Sequence, residues 1–260
     1  MQTHGADRLH ILPGVGCTPP DASPLARVTN ACQSLAMRVL VFLFLILAAC
    51  GRPLTPSEAA FATHIHGAEI DTSRVRLFNG ALVGNVTHKR PKRPRLACRE
   101  RLSPEPQTEL ITTAPSGVVI HNKVFFARSW YQPDFMRGYP DQLNLGNAML
   151  LAHEITHVWQ WQNRRATGYS PLRAITEHQG SDDPYLFDIS TDADLMDFGY
   201  EQQASIVEEY VCCATLDPDA PRTRRLADML RGAFPLGELP HPRDITLPWD
   251  GAQAAGICRI

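Results

Sequence analysis

The pattern of apolar and polar positions divides the chain into unlike stretches. From Val39 to Leu47 every residue is apolar, behind Arg38 and ahead of Ala48 and Ala49. The stretch to Gly51 falls well short of the ~20 residues needed to cross hydrocarbon, so it reads as a signal-peptide core rather than a membrane span. Thr55-Pro56-Ser57-Glu58 then opens a short helix with a cap, a proline at the first helical position and a capping-box glutamate, and Gly67 stops it. Val75, Leu77 and Phe78 predict a strand, with Asn79-Gly80 as a turn and residues 81–83 as a return strand. Val118 to Ile120 and Val124 to Phe126 read as one or two buried strands.

Helical periodicity dominates the second half. Leu145 to Arg165 holds no proline and is closed by Gly168; a second helix runs from about Tyr200 to Leu216, stopped by Asp217-Pro218. A third, from Pro221 to about Phe234, carries Leu226, Met229, Leu230 and Phe234 on one face. Between these, 169–199 holds prolines, glycine and many acids and is expected to be loop with short turns. The tail from 236 to 260 is expected to be extended. Residues 87–106 interleave His88, Lys89, Arg90, Lys92, Arg93, Arg95, Arg99 and Arg101 with prolines and no aromatics. That composition predicts a solvated basic loop rather than a nucleic-acid site, with attraction to anionic lipid headgroups near a lipid anchor as a weaker reading.

Composition narrows the classes. The chain has 260 residues, 44% apolar, with a formal charge of −2, so no global field argues for nucleic acid. Leu47-Ala48-Ala49-Cys50-Gly51 resembles the lipobox of bacterial lipoproteins. That resemblance implies Cys50 as the lipidated first mature residue, a signal region over 1–49 and a tether over 50–54, on the periplasmic or envelope side. It also calls the translation of residues 1–36 into question, with Met37 or a position near Val28 as alternative starts. Beyond Cys50 remain Cys98, Cys212, Cys213 and Cys258. Outside the cytosol an even number favours disulfides over buried free thiols. Cys212 and Cys213, about 100° apart on one helix, would each pair with a different distant partner, but the pairing stays open.

The chemistry lies in His153-Glu154-Ile155-Thr156-His157. On a helix the two histidines stand about 40° apart, one turn from each other, and Glu154 flanks them at about 100°. Two imidazoles on one face can bind one tetrahedral Zn²⁺, and the flanking carboxylate can take a proton from water at the metal's open position. Ala148, Ala152, Ile155 and Trp159 make the opposite arc apolar, as a buried helix requires. A third ligand is expected from Gly199 to Tyr210, where Glu201 and Glu208 are two turns apart. Glu201, near the helix start, is preferred, and Glu208 would then orient an imidazole from behind. Asp192, Asp194, Asp197 and His178 are the alternatives. Gln160 shares the His face, and with Tyr200 it is a candidate for orienting a ligand or meeting an oxyanion; Tyr169 and Tyr210 are further candidate donors.

The segment Leu151 to Gln160 resembles the metallopeptidase-like core domain found with extracellular contractile injection systems, and Leu54 to Phe61, Gly67 to Arg76 and Ile120 to Phe126 are similar to that family as well. The resemblance spans about Leu54 to Gln162; the basic excursion departs from it. It implies a zincin fold over 55–235: α+β, with a small mixed or antiparallel sheet and an active-site helix packed on a second helix. The strand near Val118 to Phe126 would flank the cleft, with His153 and His157 as ligands and Glu154 as base. The Glu201 segment resembles gluzincins generally. The resulting expectation is a lipid-anchored zinc peptidase acting on peptide or protein. A zincin-fold binding or structural lipoprotein is the alternative.

Overall fold

The computed structural model describes residues 51–80, 85–180, 183–188 and 193–259. Its first helix, α1 (Pro56–His66), begins as the sequence dictates: Glu58 N donates to Thr55 Oγ1 at 3.2 Å and Thr55 N donates to Glu58 Oε2 at 2.8 Å. Gly67 ends it at φ +59°, a conformation glycine adopts without penalty. Strand β1 (Arg76–Asn79) follows. Residues 81–83, expected as its hairpin return, lie outside the described residues. The partner of β1 is instead distant: it pairs in parallel with β5 (Lys123–Phe126), which pairs antiparallel with β4 (Gly117–Ile120), giving the order β1-β5-β4. A single antiparallel bridge from Arg52 to Leu77 extends the β1 side.

The basic stretch is more ordered than its composition suggests. Strand β2 (His88–Pro91) pairs antiparallel with β3 (Leu110–Thr113), and between them stands a five-residue helix, α2 (Cys98–Leu102). The expected solvated loop is therefore an anchored excursion. Cys98 and Leu102, one turn apart, are both buried, and two apolar anchors outweigh a polar average.

Strand β6 (Gln142–Asn144) leads into α3 (Leu145–Gln162), whose start is capped by Asn144 Oδ1 accepting from Asn147 N at 3.0 Å. A short α4 (Arg164–Thr167) ends at Gly168, φ +67°. The region expected to be loop then contains a helix, α5 (Pro171–Gly180). Pro171 opens it rather than breaking it, and Ser170 Oγ accepts from Arg173 N at 3.2 Å. Helices α6 (Tyr200–Leu216) and α7 (Pro221–Ala233) run as expected. The tail is not simply extended: β7 (Asp244–Thr246) returns to pair in parallel with β6.

The fold is thus α+β, a small mixed sheet with two closely packed helices. Helix α3 is central. Its Leu151, Ile155, Val158 and Trp159 pack with Phe61 and Ile65 of α1, Val124 and Phe126 of the sheet, and Ile206, Val207 and Val211 of α6 in one apolar core. Two buried disulfides, Cys98–Cys212 and Cys213–Cys258, fasten α2 and the chain's end to adjacent positions of α6. Among the described residues no helix is long and apolar enough to cross a membrane.

Candidate metal centre

Helix α3 places His153 and His157 one turn apart on the face it turns to α6, and α6 brings Glu201 in its first turn to the same point. His153 Nε2 lies 3.3 Å from Glu201 Oε2 and 3.3 Å from His157 Nε2, and the third side, His157 Nε2 to Glu201 Oε2, is 3.4 Å. All three residues are buried, and their ligand atoms form a compact group. Bonds of ~2.0–2.1 Å to a tetrahedral ion require ligand atoms roughly 3.3 Å apart. The triangle has the dimensions of one face of that tetrahedron.

The protons on the two rings can be placed from their other nitrogens. Gln160 Nε2 donates to Tyr200 O at 3.0 Å and to Gln203 Oε1 at 2.9 Å, so its amide oxygen is left to accept. His157 Nδ1, 2.9 Å from Gln160 Oε1, is then the N–H, and His157 Nε2 presents a lone pair to the triangle. His153 Nδ1 faces Glu208 Oε2 at 3.3 Å, at charge-pair distance though out of line for a hydrogen bond. A carboxylate there favours the proton on Nδ1 and again turns the Nε2 lone pair inward. Three electron-rich atoms converge in a buried spot, which a cation satisfies; two imidazoles and a carboxylate suit zinc.

The charged groups of the cluster act strongly on one another. Burial alone would lower the His153 imidazole, but the carboxylates of Glu201 and Glu208 push it up to about 10. His157 is also raised, burial being outweighed mainly by Glu201. Burial raises Glu201 in turn, yet His157 and His153 hold it well below the usual carboxylate range. Glu154, outside the triangle, is raised by burial against the opposing pull of His153 and His157. Its carboxylate lies on the backbone of Gly117 at the start of β4: a Cβ added there would stand 2.7 Å from Glu154 Oε1.

Strand β4 is an edge of its sheet. Ala127 N donates to Ser116 O at 2.8 Å, and in the observed register Val118 is the next residue whose backbone turns toward β5. By antiparallel alternation, the backbone N–H and C=O of Gly117 and Val119 face away from β5, with Gly117 beside Glu154.

The other candidates are distributed as follows. Glu208 stands behind His153, and Gln160 behind His157. Tyr200 contributes its carbonyl to the Gln160 network, while its hydroxyl donates to Gly168 O at 2.8 Å. Tyr210 has Arg231 and Glu238 as its charged neighbours and so faces away from the triangle. Tyr169 packs against Tyr200 and is pushed up to about 12 by burial and then Glu201. Asp194 and Asp197 cap a single turn at Leu195–Asp197 and are not part of the cluster. Asp192, and the His178 side chain, lie outside what is described, as does Cys50.

Two participants escaped the sequence reading. The Tyr185 ring lies 5.8 Å from that of His153, and burial followed by Glu201 and Glu154 raises its phenol. Arg99, from the basic excursion, donates to Glu208 Oε2 at 2.9 Å. Neither has a local signal: one sits in an acid-rich connector and the other in a run of arginines.

No known family model matches the chain, and no curated protein is similar to it. Among solved structures, the effector domain of Pseudomonas aeruginosa VgrG2b is similar at 23% identity and a TM-score of 0.46, over 71% of this chain and 84% of that one. That likeness is too loose to transfer any chemistry, and the site stands on its own geometry.

Proposed function

We propose that the chain is an exported zinc peptidase, lipid-anchored through Cys50, with His153, His157 and Glu201 as metal ligands and Glu154 as general base. The observation supporting this most strongly is the buried triangle of lone-pair atoms with sides of 3.3, 3.3 and 3.4 Å. When bound, zinc supplies a Lewis acid that brings the pKa of water toward neutrality and polarises a carbonyl.

The remaining work falls to the chain's own groups. Glu154 takes the proton of the attacking water, and burial, by raising its carboxyl, favours holding that proton for the leaving amine. Gly117 and Val119, with backbone groups on the free edge of β4, accept an extended peptide as an added strand and so present its carbonyl beside Glu154. Tyr169 and Tyr185, kept protonated by burial and by the Glu201 and Glu154 carboxylates, are the phenols available to developing negative charge. Gln160 and Glu208 orient the two imidazoles.

Mature protein prepared without chelator is expected to hold roughly one zinc per chain. Glu154→Gln is expected to keep that zinc and to lose hydrolysis of a peptide library by at least ~10²-fold. Wild type without zinc would overturn the metal assignment. Zinc-loaded wild type that cleaves nothing but retains a cell-envelope protein would replace the enzyme with a binding lipoprotein.

A further inference from the structure

Glu208 is a buried carboxylate pressed against His153, and what neutralises it comes from the part of the chain least expected to matter. Burying an anion without a partner is costly, and truncating one member of a buried pair is usually worse than never having built it. Here the partner is Arg99 of α2, whose Nη1 donates to the same oxygen, Glu208 Oε2, that lies 3.3 Å from His153 Nδ1. Arg99 is gripped on its other side as well: its Nε donates to Glu100 Oε1 at 3.0 Å, and Glu100 also meets Arg93 at 3.5 Å. Arg93 in turn forks onto Asp183. The guanidinium is thereby held in one orientation by carboxylates on two sides.

A five-residue helix does not hold itself together in water, so α2 needs external fastening to keep Arg99 in place. The fastening is close by. Cys98, the neighbour of Arg99, is disulfide-bonded to Cys212, which lies one turn beyond Glu208 on α6. The cross-link therefore lands on the stretch of α6 that carries the carboxylate. Cys98 N also donates to Glu209 Oε2 at 2.7 Å, Glu209 pairs with Arg222 at 2.8 Å, and Arg222 donates to Leu96 O at 2.9 Å. Two of these contacts cross from the excursion, one to α6 and one to α7, and the Glu209–Arg222 pair ties those two helices together.

We propose that the basic excursion is a working part of the metal centre: Arg99, stapled by the Cys98–Cys212 disulfide, is the positioning residue that holds Glu208 against His153. This rests on reading His153, His157 and Glu201 as zinc ligands. Arg99 touches neither metal nor substrate; it fixes the carboxylate that fixes the ring. Without Arg99 the buried carboxylate loses the donor that fixes its orientation and turns away, and His153 Nε2 is no longer aimed at the triangle.

The test is zinc affinity by chelator competition on the full mature chain, with the visible absorption of the cobalt(II)-substituted protein as a second readout. Arg99→Met is expected to weaken zinc binding about 10-fold, the low end for partners that orient a metal ligand, and to alter the cobalt spectrum. Lys89→Met, an exposed charge of the same excursion, is expected to change neither. Cys98→Ser with Cys212→Ser is expected to give a similar loss, and adding Arg99→Met to that pair should bring little more, because both act through one contact. Arg99→Gln, which keeps N–H donors without the charge, replaces Arg99→Met if the latter does not fold. Unchanged zinc affinity and spectrum in a folded Arg99 variant overturn the proposal while leaving the zinc site standing. Fully additive losses overturn the disulfide's part in it. A wild type that binds no zinc removes the underlying assignment instead.

Discussion

At the scale of single residues, two glycines show how close approach governs what the chain can do. Gly51 lies against the ring of Phe78, where a Cβ would come within 2.4 Å of it, so the segment following Cys50 is seated on β1 rather than swinging free. Gly117 does the same for the proposed base. A methyl group there would stand 2.7 Å from Oε1 and 2.8 Å from Cδ of Glu154, inside contact distance of a buried carboxylate. Gly117→Ala is therefore expected to displace Glu154 while leaving His153, His157 and Glu201 in place. Displacing a catalytic group by about 1 Å can cost ~10²-fold in rate. The measurement is kcat alongside zinc content: a large loss of rate at unchanged zinc is expected, and a loss of zinc would show that the strand, not the side chain, had moved.

Among the elements, α6 carries most of the site's logic through its period. Glu201 and Glu208 lie two turns apart on the face turned to α3, one meeting both Nε2 atoms and the other meeting His153 from behind. Their losses should differ in kind. Glu201→Ala removes a corner of the triangle and is expected to abolish zinc retention on dialysis. Glu208→Ala leaves the triangle complete and is expected to weaken zinc by about 10- to 100-fold, as for other groups that orient a ligand. Equal zinc retention in the two variants would sink this division of roles. The same helix takes both disulfides at Cys212 and Cys213, so α2 and the chain's end are tied to the element that supplies the third corner.

Across the whole molecule, α1 and the chain after α7 close over α3 on the side away from the triangle, and His66 sits where they meet. Its ring stacks on Trp159 at 5.7 Å and meets Phe234 edge-on at 4.7 Å, with no exposed surface. Burial lowers its pKa from the ordinary 6.5 to about 3, so it is neutral in the fold and must charge on acidification. A depressed folded-state value means the contribution is fully present above about 6.5 and is lost as pH falls toward 3. His66→Phe, which keeps an aromatic ring at the site and gives up only a 3.4 Å contact with Thr156, removes that proton uptake. The difference in urea midpoint between wild type and His66→Phe is expected to shift in the variant's favour between pH 6.5 and 4. A pH-independent difference would show that His66 is not buried neutral. At the opposite end of α1, Glu58 is fully buried and accepts from Arg52, Thr55 N and Phe135 N, so the expected tether is already bound to the body from Arg52 onward.

The sequence by itself determined what depends on neighbours along the chain. Thr55-Pro56-Ser57-Glu58 dictates its own cap, and the four-residue spacing of His153 and His157 dictates a shared helix face. The position of Glu201 in a first turn separates it from Glu208 before any packing is known. Tertiary structure alone decided the rest, because the relevant energy lies in contacts between distant segments. The partner of β1 is β5, some fifty residues on, since a parallel pairing leaves no turn signal to read. Residues 87–106 look like solvated loop by composition, yet the buried anchors Cys98 and Leu102 fold them back and carry Arg99 to Glu208. Pro171 reads as a breaker within an acid-rich stretch, but whether a proline ends or begins a helix depends on which side of it the chain finds packing. The disulfide partners of Cys212 and Cys213 follow from the same cause, for spacing leaves three pairings open and only the packing of α2 and the tail on α6 selects one.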